Sequence, residues 1–160
     1  MPHASGLILC LCTGNYCRSP MAEGLLRHHL AERGYDDEFR VASAGTTSSY
    51  EDQPPAPFIM QVVRERGESD FTYRPHLVTP NEIARADLIV AMAGNHRDWI
   101  AGHYPEALPR TMLLAEAIDQ TFGIPDPGVH EIEALRQTAD LIEYCVSQGI
   151  DAIVERVRRS

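Results

Sequence analysis

The most restrictive stretch of the chain is LILCL, Leu7 to Leu11. Its five consecutive apolar residues lie between Gly6 and the turn residues Thr13-Gly14. A run so short, with no polar alternation, reads as a strand buried on both faces. FRVASA (Phe39 to Ala44) reads as a second strand ending at Gly45, DLIVAM (Asp87 to Met92) as the clearest strand, and Thr111 to Leu114 as a fourth. Helical patterns separate them. Ser19-Pro20 reads as a helix start, with Ser as N-cap and Pro at the first helical position. Ala22, Leu25, Leu26 and Leu30 continue that helix, and Gly34 stops it. Pro57 to Arg66 reads as a helix closed by Gly67, and Thr79-Pro80 starts another short one. From Ile132 to Val157, apolar residues recur every three or four positions, giving one long amphipathic helix with Gly149 as its candidate point of interruption. Strands separated by helices imply a four-stranded parallel sheet covered on both faces. The chain is therefore expected to form one three-layer α/β domain over residues 1–160.

The 160 residues suffice for one sizeable core, and a formal charge of −9 argues against a general nucleic-acid binder. An anionic ligand must then be drawn by a local positive field. The opening residues MPHASGLILCLC carry no basic region before their apolar run, which is too short for a signal peptide or a membrane span. Cys10, Cys12, Cys17 and Cys145 form neither a C-x-x-C pair nor a disulfide framework, so a reducing, cytoplasmic setting is expected.

In an open α/β sheet, ligands bind beyond the carboxyl ends of the strands. The loop CTGNYCRS, Cys12 to Ser19, begins there and leads into a helix. A helix N-terminus offers unsatisfied N–H groups and partial positive charge, and a tight loop before it can turn further N–H groups inward as an anion nest. Gly14 is expected to supply a backbone conformation that other residues resist. Arg18 can grip a phosphate with two parallel hydrogen bonds. The same field favours the thiolate of Cys12, an in-line nucleophile for a bound phosphoryl group. A bare C-x5-R also fits a structural turn with packed cysteines; the strand–loop–helix context favours the anion cradle. Asp126 lies in FGIPDPGVH, a Pro/Gly loop on the same sheet edge as Cys12, although turn chemistry is the commoner use of an Asp-Pro pair.

CTGNYCRSPMAE resembles the phosphate-binding loop of the low-molecular-weight protein tyrosine phosphatases. The resemblance continues through SAGT (Ser43 to Thr46), ADLIVAM (Ala86 to Met92) and PDP (Pro125 to Pro127), in the same order over nearly the whole chain. It implies a flavodoxin-like strand order and hydrolysis of a phosphomonoester through a cysteinyl-phosphate, with no metal or other cofactor. Cys12 would be the nucleophile, Arg18 the phosphate clamp and Asp126 the general acid, then general base. Thr13, Gly14, Asn15, Tyr16, Cys17, Arg18 and Ser19 would surround the phosphate. Asn15, Ser19 and Ser43 would support the loop, and Cys17 would be a redox partner for Cys12. The partners implied are a phosphorylated protein and inorganic phosphate or other oxyanions, with the enzyme a monomer and no nucleic acid or membrane involved.

Departures from the family pattern bear on the substrate. Gly128-Val129 follow Asp126-Pro127 where many members carry aromatics, and Tyr50 stands one residue later than the usual aromatic after SAGT; Tyr16 and Tyr50 are the candidate cleft wall, with an exposed loop tyrosine as the other reading of Tyr50. The segment in which members often have a supporting histidine holds Tyr73, with His76 nearby. In related protein-arginine phosphatases the position of Tyr16 is typically threonine; a tyrosine narrows the pocket and favours a flat phosphophenyl ring. CTGN, RPHLVTPNE and the absent aromatics are nevertheless similar to that branch, so protein-arginine phosphatase is the alternative. Arsenate reductases need a further cysteine pair mid-chain, and none lies between Cys17 and Cys145. A phosphopeptide-binding module is the non-enzyme alternative; the presence of nucleophile, arginine and acid together speaks against it. A nucleotide-binding domain would want a G-x-G-x-x-G or G-K-[ST] loop, which is lacking. Cys10 and Cys145 read as core residues, His28-His29 show no ligand spacing, and His96, Arg97 and Trp99 after the third strand read as a solvated helix start in preference to a place on the cleft rim.

Overall fold

The computed structural model describes residues 6–159, so the ends of the expected domain, 1–5 and 160, lie outside the described residues. Four strands, β1 (Gly6–Cys12), β2 (Phe39–Gly45), β3 (Leu88–Ala91) and β4 (Thr111–Leu113), form one sheet in the order β2-β1-β3-β4. Every pairing is parallel, with Ile8 opposite both Val41 and Leu88. Five helices accompany them: α1 (Arg18–Glu32), α2 (Pro57–Arg64), α3 (Pro80–Arg85), α4 (Gly94–His103) and α5 (Ile132–Arg159). Short 3₁₀ turns flank β4 at Pro105–Arg110 and Leu114–Ile118.

The central strand β1 shows why the run LILCL has no polar member. Ile8, Cys10 and Cys12 pack into one core with residues of α1, α2 and α5, whereas Leu9 and Leu11 pack into another with residues of α3 and α4. Alternate side chains point to opposite faces, and both faces are covered. Among the described residues no helix is long and apolar enough to cross a membrane.

The helix ends follow local chemistry. Gly34 is left-handed at φ +79°, with its N–H on Ala31 O and the Tyr35 N–H on Leu30 O, which caps α1. Thr79 Oγ1 accepts the Glu82 N–H at 3.2 Å while Glu82 Oε1 accepts the Thr79 N–H at 2.9 Å, so the expected start of α3 is a reciprocal cap.

Three expectations are corrected. Helix α1 begins at Arg18 with Cys17 as its N-cap residue, so Ser19 does not cap it. The Ser19 side chain points back to the loop, and Pro20 falls at the third helical position, where a missing N–H still costs no intrahelical bond. Helix α5 runs unbroken through Gly149. The glycine is there for proximity: a Cβ would lie 2.4 Å from the Cβ of Ala117 and 2.8 Å from its carbonyl oxygen. Helix α2 stops at Arg64, with Gly67 left-handed beyond it at φ +122°.

Candidate active site

A cavity of about 300 Å³ opens at the carboxyl edge of the sheet. Its floor and one side are Cys12, Thr13, Gly14, Tyr16, Cys17 and Arg18; Thr47, Ser49 and Tyr50 come from the segment after β2; Asp126, Gly128, Val129 and His130 come from the loop before α5. The sequence-predicted nucleophile, arginine and acid therefore meet in one place. Asn15 and Ser19, also expected around a phosphate, are fully buried and do not line the cavity.

These two residues hold the loop from behind. Asn15 is left-handed at φ 55°. Its Nδ2 donates to Ser19 Oγ at 2.9 Å and to Ser43 Oγ at 3.0 Å, while its Oδ1 accepts the backbone N–H of His76 at 3.2 Å. Asparagine tolerates this conformation better than other residues with a Cβ, and here three bonds fix it. The special conformation expected of Gly14 thus belongs to Asn15. Gly14 is needed for space, since a Cβ on it would lie 2.6 Å from Tyr50 Cδ2. Ser43 donates in turn to Glu23 Oε1 at 2.6 Å. Burial pushes the pKa of Glu23 up, against the opposing effects of Ser43 and Arg27.

The SAGT segment works through its backbone. The N–H groups of Thr46 and Thr47 both donate to Thr13 O at 2.9 Å, and Thr47 Oγ1 adds a third bond at 3.2 Å. These bonds hold the Thr13 carbonyl toward the SAGT segment. Gly45 permits the approach, because a Cβ there would lie 2.7 Å from Thr13 O. Tyr73 donates its hydroxyl to Tyr16 O at 2.9 Å and accepts the Ala56 N–H at 2.8 Å. The side chain of His76 turns away to Glu82, so of these two residues Tyr73 is the one whose side chain supports the loop.

Cys12 is 2% exposed at the end of β1, with Sγ 3.0 Å from Ser19 Oγ. The single Ser19 proton has two acceptors in reach, Cys12 Sγ and Ala44 O at 3.4 Å. When Cys12 is a thiolate the Ser19 hydroxyl donates to sulfur, since a charged acceptor makes the stronger bond. Cys17 is also buried, and its S–H donates to Gly128 O at 3.5 Å. Burial, followed by the charges of Cys12 and Asp126, pushes the Cys17 pKa well above the usual thiol range.

Arg18 is anchored on two sides. Its Nη1 donates to Ile124 O at 3.0 Å and its Nη2 to Thr13 Oγ1 at 3.4 Å. Ile124 is itself held by its N–H on Met92 O at 2.8 Å, which ties the acid loop to the end of β3. Asp126 uses one carboxylate oxygen in a turn and faces Arg18 with the other. Oδ1 accepts the Gly128 N–H at 3.0 Å, an Asx turn around left-handed Gly128, and Oδ2 lies 4.0 Å from Arg18 Nη2. On the opposite wall Tyr16 and Tyr50 stack with centroids 4.2 Å apart and planes within 4°.

For His96 the sequence reading prefers a solvated helix start to the cleft rim, and the structure reverses that order. It is fully buried in the first turn of α4, with Nε2 2.9 Å from Thr13 Oγ1. The signal was present: Met92, His96 and Ile100 step by four and are all buried. Arg97 pairs with Glu116 at 2.9 Å, and Trp99 packs partly buried against the α3–α4 side of the core.

Residues 7–159 match the family model described as low molecular weight phosphotyrosine protein phosphatase. The chain belongs to this family. It is thus a phosphatase whose Cys12 and Arg18 form the family's C-x5-R loop. It is 32% identical over 151 residues to the probable low molecular weight protein-tyrosine-phosphatase EpsP of Ralstonia nicotianae, covering 94% of this chain and 95% of the relative. It is also 32% identical over 152 residues to the protein-arginine-phosphatase of Geobacillus stearothermophilus, with the same coverage. Among solved structures it is similar to a YwlE arginine phosphatase in which serine replaces the active-site cysteine and is phosphorylated. There the TM-score is 0.82 at 26% identity, covering 96% of this chain and 98% of that one.

Proposed function

We propose that the protein hydrolyses phosphotyrosine on protein substrates through a phosphocysteine at Cys12. The Cys12 sulfur attacks phosphorus in line, an S–P bond forms, and the P–O bond to the phenol breaks. Asp126 gives its proton to the leaving oxygen, and Arg18 binds the equatorial oxygens with the N–H groups not used by Ile124 and Thr13. Water then attacks phosphorus while Asp126 takes a proton from it, releasing inorganic phosphate and restoring the thiolate. The Ser19 hydroxyl stabilises sulfur as it leaves. These groups suffice without a metal or organic cofactor, and all come from one chain, so the reading is of a monomer acting alone. The phosphorylated serine in the related arginine phosphatase supports attack from this position of the loop.

The observation that carries the substrate choice is the Tyr16–Tyr50 stack beside the loop. The two rings lie parallel, one on the other, so the stack gives the cavity a flat aromatic surface that suits a phosphophenyl ring and narrows the space for a guanidinium side chain. Protein-arginine phosphatase is the second reading, favoured by Gly128 and Val129, which bring no aromatic ring to the cavity they line. Phosphate release from phosphotyrosine and phosphoarginine peptides of one sequence decides between them. Fast phosphotyrosine turnover, abolished in Cys12→Ser and shifted toward phosphoarginine in Tyr16→Thr, is the expected result. A wild-type preference for phosphoarginine keeps the chemistry and overturns the substrate. No turnover of either, with inorganic phosphate still bound, overturns the enzyme reading in favour of a binding module.

A further inference from the structure

His96 touches the phosphate-binding loop although it lies 83 residues further along the chain. Its Nδ1 accepts the backbone N–H of Ala93, the residue before α4, at 3.1 Å. A ring nitrogen that accepts carries no proton, so in the neutral imidazole the proton is on Nε2. Nε2 therefore donates to Thr13 Oγ1 across the 2.9 Å contact. The same oxygen accepts from Arg18 Nη2. With both lone pairs engaged, the Thr13 hydroxyl has one orientation left, its proton directed away from both donors.

We propose that His96 is a positioning residue for phosphoryl transfer: it fixes the Thr13 hydroxyl as an acceptor and so sets the guanidinium of Arg18 in its phosphate-gripping orientation. The inference rests on the phosphatase reading above. Nη1 of Arg18 is fixed by the Ile124 carbonyl, so Thr13 supplies the second point that defines the plane of the fork. Three N–H groups then remain for phosphate oxygens, one on Nε and one on each terminal nitrogen. Charge points the same way. Burial, and next the neighbouring Arg18, push the His96 pKa down to about 4, so the ring acts as a neutral donor and adds no second cation beside Arg18. A buried group that carried only the α4 cap would need Nδ1 alone; the Nε2 contact to the loop is the part that bears on catalysis.

The test is a double-mutant cycle on aryl phosphate hydrolysis, with Thr13→Val, His96→Leu and the pair, and inorganic phosphate as competitive inhibitor. Each single change should lower kcat by about 10- to 100-fold, more than it changes KM, because the grip of Arg18 tightens in the transition state. Phosphate inhibition should weaken in both. The pair should be no slower than the slower single variant, since His96 acts through Thr13. Rate losses that multiply in the pair would overturn the proposal. His96→Gln can accept from Ala93 with Oε1 and donate to Thr13 with Nε2, so it should recover most of kcat; a folded Gln variant as slow as His96→Leu would also overturn it. Should His96→Leu fail to fold, the wild-type ring settles the matter by ¹⁵N NMR: an Nε2–H tautomer is expected, and an Nδ1–H tautomer contradicts the proposal. Failure of the phosphatase reading itself is distinguishable, because wild-type protein would then show no Cys12-dependent turnover.

Discussion

Asn15 has little freedom in its role, because its side chain makes three hydrogen bonds and its backbone is left-handed. Asn15→Ala loses those bonds and strains the loop, and is expected to cost about 2–4 kcal/mol in denaturant unfolding together with most of the activity. Asp126 is a different kind of residue, exposed and held by one turn bond. Asp126→Asn should lower kcat by roughly 10²- to 10³-fold while inorganic phosphate binds as before, measured by inhibition and steady-state kinetics. Unchanged kcat would remove Asp126 from the reaction. At this scale the sequence was informative where chemistry is carried by residue type and local order, as in CTGNYCRSP. It was silent where a role depends on burial. Glu23 looks like an ordinary polar residue until the fold places it against Ser43, and Tyr73, marked only by standing where relatives carry a histidine, gains its contact to the carbonyl of Tyr16 from the fold.

The elements are joined at points of close approach that periodicity does not report. Gly149 reads as a weak spot in an amphipathic helix, yet it lets α5 lie against the turn after β4 at Ala117. Gly149→Ala should destabilise the protein by about 1–3 kcal/mol, read by chemical denaturation, with kcat per folded molecule unchanged. Gly45→Ala acts in the opposite sense. Its methyl would press on Thr13 O at the back of the phosphate-binding loop, so activity should fall by more than stability explains. Equal kcat in the two variants would contradict this division. Element types and order were legible, because apolar runs alternate with helical spacing. The start of α1 was misread, since Ser-Pro is a strong local signal but the loop claims the Ser19 side chain for Cys12 and Asn15.

Across the whole molecule, the parallel sheet gathers the end of β1, the segment after β2 and the loop before α5 around one cavity, and burial beside it shapes acid stability. The folded pKa of His96, about 4, lies below its unfolded value. The unfolded chain therefore binds more protons between those values, and stability falls as pH drops through the window. Between about pH 7 and about pH 4.5 wild type should lose roughly 2 kcal/mol more than His96→Gln, measured by urea unfolding at each pH. Glu23 responds with the opposite sign, because its raised folded pKa favours the native state as pH falls, and it is common to both proteins. The central claim is the covalent intermediate, and the most direct measurement is to quench the enzyme with a phosphotyrosine peptide in the first turnover and map the phosphoryl group by peptide mass spectrometry. One phosphoryl group is expected on the peptide containing Cys12, and none in the Cys12→Ala control. Phosphate release with no phosphoenzyme, persisting in Cys12→Ala, would contradict it.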